Sequence, residues 1–171
     1  MHRIGMTLLT LLLLPWPAWS KDLLLFFIQR SKNANEVHYQ LRVDERCHIV
    51  SDKPVSALWK LREESPEKTE TLSVFDQIAY GVVDQKVEDN WVSFSLKALE
   101  QKRIKASTAS TPNPGTCAPI VQIDIQGQLA TLERIYVQTE EGFIKPKVLY
   151  VDVFGKSLDA SQTPVHERIT P

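Results

Sequence analysis

The chain has little of what marks the common chemistries. Of its 171 residues only two are cysteine and six are glycine. So few glycines leave no glycine-rich phosphate loop, and the rows hold no Gly-x-Ser-x-Gly elbow. The histidines His38, His48 and His166 lack the His-x-x-x-His spacing that puts two ligands on one surface, and no Cys-x-x-Cys occurs. These absences speak against a metal centre, a bound cofactor and a serine or cysteine nucleophile. Charge of one sign is also missing: 20 Lys and Arg stand against 21 Asp and Glu. A generic nucleic-acid binder would show a basic excess. No apolar run beyond the N-terminal region is long enough for a membrane span, which needs about 20 residues, and no internal repeat is present.

What is there begins with a leader. Arg3 precedes an apolar run from Ile4 to Leu14, Pro15-Trp16-Pro17 breaks it, and Ala18-Trp19-Ser20 supplies small residues for a cleavage site. The expectation is a cleaved signal peptide over residues 1–20 and a single β-rich domain over 21–171, in the periplasm or secreted. The two cysteines, Cys47 and Cys117, both fall in the exported part. Export makes a disulfide between them plausible, with two free thiols as the other possibility.

Most apolar segments are short and alternate. Asp22–Ser31 reads as a strand buried on both faces, and Lys32–Asn35 as a turn. Val37, Tyr39, Leu41 and Val43 alternate with polar residues in a half-buried strand. Pro54–Leu61 follows as a strand and Arg62–Glu70 as a solvated loop. Leu72, Phe75, Ile78 and Ala79 share one face of a short helix, with Gly81 ending it in the left-handed conformation. Asp84–Asn90 reads as a polar turn. Val92, Phe94, Leu96 and Ala98 form a clean strand, and Ser107–Pro119 is irregular. Strands then run over Val121–Ile125, Leu129–Thr139 and Phe143–Phe154, with turns at Gly127-Gln128 and Glu140-Glu141-Gly142, and Gly155 ending the last. A short strand at Val165–Ile169 closes the chain. Seven to nine strands at these spacings predict an all-β, mainly antiparallel fold, a single-domain β-sandwich or partly open β-barrel with one short helix.

Five blocks, in order, resemble a bacterial family known as domain of unknown function 4833. They are Phe27–Asn35 with Val37 and Tyr39, Pro54–Trp59, Ala79–Val82, Leu132–Val137, and Lys145–Val151 running into Phe154-Gly155. The resemblance implies a small domain in exported proteins and carries no activity with it. The Ser/Thr/Pro-rich loop holding Cys117 lies outside these blocks.

The densest polar cluster is Gln29–Asn33 with Asn35. Arginine holds a carboxylate or phosphate with two hydrogen bonds, and lysine adds a point charge. Arg30, Lys32, Asn33 and Asn35, joined by Arg134, Lys145, Lys147 and a Tyr80 wall, would make a cationic pocket if the strand order brings them together. The competing reading is turn chemistry with solvated cations. The carboxylates Asp22, Asp76, Asp124, Glu133 and Asp152 are candidates for acid–base work without a supporting motif. The expected role is non-catalytic binding of a small ligand, with an anion as the class the cationic cluster would suit. The rivals are a protein-interaction or inhibitor module of the cell envelope and, behind both, a hydrolase acting on envelope polymers. No cofactor, no nucleic acid and no membrane span after cleavage are expected.

Overall fold

The computed structural model describes residues 20–113, 115–140 and 147–170. Apart from Ser20, the expected leader lies outside the described residues, as do Gly142, Lys145 and Pro146. The elements are β1 (Ser20–Arg30), β2 (Asn33–Asp44), β3 (Val55–Lys60), β4 (Thr69–Thr71), α1 (Val74–Tyr80), β5 (Val82–Glu88), β6 (Trp91–Leu96), β7 (Leu99–Ser110), β8 (Cys117–Ile125), β9 (Gln128–Glu140), β10 (Lys147–Ser157) and β11 (Pro164–Ile169). The fold is all-β, with eleven strands in one mixed sheet that does not close into a barrel.

The sheet forks at β9. One edge of β9 meets β8 antiparallel over Gln128–Thr131 and then β1 parallel over Arg134–Val137. Its other edge pairs with β10 along most of its length, and β10 carries β11. Two wings leave the fork, β1-β2-β3-β4 and β8-β7-β6-β5. They face each other across one core: Phe26 of β1 stacks on Tyr39 of β2 at 4.7 Å and on Phe94 of β6 at 6.5 Å. Burying such a side chain stabilises the fold by about 1.5–3 kcal/mol. The hydroxyl of Tyr39 donates to the carbonyl of Tyr80 at 2.8 Å, so this buried polar atom is satisfied.

Alternation sets which residues face inward. Val37, Tyr39, Leu41 and Val43 of β2, and Val92, Phe94 and Leu96 of β6, are all buried, as their period of two predicts. β1 departs from the expected two-faced burial. A register shift between Leu24 and Phe26 turns both Leu25 and Phe26 inward, while Leu24 stays exposed. A bulge, and not a second covered face, explains the unbroken apolar run.

Several boundaries need correction. β4 lies where a continuous loop was expected. The polar segment after Gly81 is the edge strand β5, turned back by Asp89 and Asn90 at φ 48° and 64°, a pair suited to a two-residue hairpin. The Ser/Thr/Pro-rich stretch is mostly strand, because β7 runs to Ser110 and β8 begins at Cys117. The next turn sits at Gln126-Gly127, one residue earlier than expected, with both residues at positive φ. Gly81 has φ −60° and is not left-handed. A Cβ there would lie 2.3 Å from the Gln77 carbonyl oxygen, so close approach explains the glycine. Gly155 does not end β10 but lies within it, where a Cβ would stand 2.3 Å from the Thr131 carbonyl oxygen.

The wings are tied in two places. Cys47 and Cys117 form a disulfide with a Cα–Cα distance of 5.6 Å. Beside it the Asn90 amide accepts from Ile49 N at 2.8 Å and donates to the Cys47 carbonyl at 3.2 Å. At the open edges, the Gln85 amide of β5 bonds the main chain of Val55 in β3.

Candidate functional site

The eight residues of the expected cationic pocket divide among separate places. Arg30 ends β1 with its guanidinium 4.5 Å above the Trp59 ring and donates to Asn33 Oδ1 at 2.9 Å. Trp59 meets Tyr80 edge-on at 5.6 Å. Asp76 of α1 stands close by. Burial pushes its carboxyl up, but hydrogen bonds from Ser73 and Trp59 and the charge of Arg30 outweigh this and hold it below the usual carboxylate range. Arg30, Asn33 and Tyr80 are therefore brought together, with an anion already among them. Asn35 instead accepts from Glu63 N at 3.1 Å, and Lys32 sits in the exposed β1–β2 turn. Lys147 opens β10 opposite Glu140, three residues along β9 from the Val137 that pairs with Arg30. Lys145 lies outside the described residues. Arg134 and Arg30 point to opposite faces: in the parallel β1–β9 register Phe27 pairs with Arg134, so Arg134 shares the Phe27 face and Arg30 the Ile28 face.

Arg134 belongs to a ribbon on the outer face that sequence reasoning did not assemble. Cross-strand pairing sets His38, Phe27, Arg134, Phe154 and His166 in one row over five strands. The Arg134 guanidinium lies 4.0 Å from the Phe154 ring and donates to Gln29 at 3.0 Å. Phe154 stacks on His166 at 4.7 Å. Each histidine has a carboxylate in the next row, His38 with Glu36 at 2.8 Å and His166 with Asp152 at 3.0 Å. Asp152 also takes two hydrogen bonds from Arg168, at 2.8 and 2.7 Å. These bonds, and then that of His166, outweigh burial and hold its carboxyl at about 2. Burial raises Glu36, but His38 and Arg62 hold it below the usual range. The signal for this ribbon was the set of residues alternating with the core positions.

The carboxylates of these two pairs, Glu36 on β2 and Asp152 on β10, are three strand spacings apart, about 14 Å. Paired carboxyl catalysis needs groups within about 5–9.5 Å of each other. Of the other candidates, Asp22 pairs with Arg42 and Glu133 with Lys156, while Asp124 and Glu167 come together on the Lys102 ammonium, at 3.6 and 2.8 Å, which neutralises them as an ion-pair cluster. Among the described residues no three metal-ligating side chains come together.

The third feature is apolar. α1 begins with a reciprocal capping box between Ser73 and Asp76, which satisfies its first donors. None of its residues is buried. The face expected to pack inward is in solvent, with Phe75 84% and Ile78 67% exposed beside an exposed Val74. Only Leu72, ahead of the helix, enters the core. Ile78 and Tyr80 continue into a groove of about 370 Å³ with Val137, Val148, Val151 and Ile169.

Searches against curated proteins and against solved structures find no match. The family model described as Domain of unknown function (DUF4833) matches residues 26–168, from the inward-turned Phe26 of β1 to the Arg168 that holds Asp152, and the chain belongs to that family.

Proposed function

We propose that the domain is a non-catalytic protein-interaction module acting outside the cytoplasm, with α1 and the adjoining groove as its contact surface. The observation that carries this reading is the exposure of Val74, Phe75 and Ile78 on a helix that has no fully buried residue and touches the core only through Tyr80. A seven-residue helix is too short to be stable from propensity alone, and contiguous exposed apolar surface marks contact sites. Covering Phe75 and Ile78 by a partner's apolar segment would remove that surface from water. The disulfide fits an oxidising compartment and so supports export.

The small-anion carrier has weaker support, because Arg30 is occupied by Trp59 and Asn33 and offset by Asp76. A hydrolase has weaker support, because each candidate carboxylate is held by a cation or a hydrogen-bond donor. The test places a photo-reactive phenylalanine analogue at position 75 and, as control, at Leu158, an exposed apolar residue outside this surface. Position 75 is expected to cross-link discrete envelope proteins in cells and position 158 not to. Equal labelling from both positions would refute the reading. Ile78→Ser, introduced into the protein that carries the photo-reactive group at position 75, is expected to leave the melting temperature within about 2 °C while abolishing those adducts.

A further inference from the structure

The two wings end in strand edges that face each other, among the described residues without a strand between them. β3 pairs with β4 only over Leu58–Lys60, so its edge at Val55–Ala57 extends beyond β4. β5 pairs with β6 on one side and, among the described residues, with no strand on the other. A groove of about 480 Å³ separates them, lined by Ser56, Ala57, Leu72, Gly81, Val82 and Lys97 among others.

One side chain bridges this gap. Gln85 Oε1 accepts from Val55 N at 2.9 Å, and Gln85 Nε2 donates to Val55 O at 2.9 Å. Two hydrogen bonds exchanged with one residue are what an antiparallel strand makes at each hydrogen-bonded pair. The primary amide of Gln85 thus stands in for a peptide group. The backbone is shaped to put it there. The β5–β6 register shifts between Val83 and Lys86, and Asp84 is held at φ 53°. Bulges of this kind re-aim a side chain.

We propose that this gap takes an extended peptide bearing a carboxylate, which adds to the β3 edge as a strand in place of the Gln85 amide. Strand addition draws affinity from main-chain hydrogen bonds, and Val55 offers a donor and an acceptor that already hold an amide. An inserted strand needs its neighbours two spacings apart, about 9.5 Å. Residues of β3 and β5 lie within 8 Å of each other, Cα to Cα, so the two edges must part as the Gln85 amide is displaced. Small side chains at Ser56, Ala57 and Gly81 leave room beside the main chain. Charge sets the peptide's character. Among the described residues Lys97 is the one charged residue of the lining; Asp84 lies near it, and its pairing with Glu100 at 2.9 Å joins two exposed side chains, a weak contact in water. The groove flanks α1 on the Gln77 and Gly81 side; it shares Lys97 with the groove beside Ile78 and Tyr80 but not the exposed apolar face of α1.

The test pans a phage library of random heptapeptides on the disulfide-bonded protein and measures the selected peptides on wild type, Gln85→Ala and Lys97→Glu. Selected peptides are expected to be rich in Asp or Glu. They should bind Gln85→Ala about tenfold tighter than wild type and Lys97→Glu about tenfold weaker, and slow hydrogen exchange at the Val55 amide of Gln85→Ala. Phe75→Ser should leave their affinity unchanged, which separates this site from the α1 surface. Failure to select any peptide, or equal affinity for all three proteins, overturns the proposal. If Gln85→Ala does not fold, the Lys97→Glu affinity and a chemical-shift change at Val55 in wild type decide it in the same way.

Discussion

Replacing Asp152 by asparagine should change how stability depends on pH, and the size of the change follows from the outer-face ribbon. The Asp152 carboxyl sits at about 2 when folded, against an ordinary 3.8, because Arg168 and then His166 bind its ionised form. A depressed folded value means the stabilisation is complete well above the ordinary value. It is lost as the pH falls toward the folded one. The full shift corresponds to about 2 kcal/mol. About 1 kcal/mol of it should be gone by pH 3 and nearly all of it by pH 2. The side chain is only 7% exposed, so solvent screening does not erase the effect. Urea unfolding of wild type and Asp152→Asn at pH 7, 4 and 3 measures it. The variant should be about 2 kcal/mol less stable at pH 7, and the gap should shrink to about 1 kcal/mol at pH 3. Other lowered carboxylates, Glu36 and Glu167 among them, titrate in both proteins, so the difference isolates Asp152. A gap that stays constant from pH 7 to pH 3 would refute the assignment of the low value to these contacts.

Two further outcomes test the packing. Gly155→Ala puts a methyl group 2.3 Å from the Thr131 carbonyl and 2.9 Å from Ile125 Cδ1, and should cost about 3 kcal/mol or more, read by thermal melting; an unchanged melt would mean that β9 and β10 can separate there. Reducing the disulfide, which closes a sequence separation of 70, should lower stability by about 4 kcal/mol in the chain-entropy model, and a denaturation midpoint that does not move would show that Asn90 and Thr108 hold the Cys47 loop unaided.

How much of this was legible in the sequence depended on whether a segment's burial had one source. β2 and β6 were plain because one face of each meets the core and the other does not. β5 was not, because its inward Gln85 is satisfied by the main chain of a strand thirty residues away, and an edge strand of mostly polar residues looks like a turn. The β7–β8 hairpin was hidden for a similar reason. Ser107 and Thr108 are buried, with hydroxyls on the carbonyls of Asn90 and Cys47, and such bonds have no signature in a local pattern. The helix was legible as a helix, but the usual inference from an apolar face to a buried face failed. Capping by Ser73 and Asp76 could be read locally; that Phe75 stays in solvent could not. The separation of Arg30 from Arg134 required the parallel β1–β9 register, and no hairpin loop announces a pairing between segments over a hundred residues apart.

That same pairing has a consequence for the order of events in time. Residues 27–30 find their β9 partners only at 134–137, so the first strand cannot be completed until most of the chain exists. Contacts of such sequence separation slow folding, since the loop must close before the contact stabilises anything. During synthesis the β1–β2 hairpin carries an open edge at Phe27–Arg30 until β9 emerges. The hairpins of each wing can form as they emerge, but the sheet that joins the two wings waits for β9.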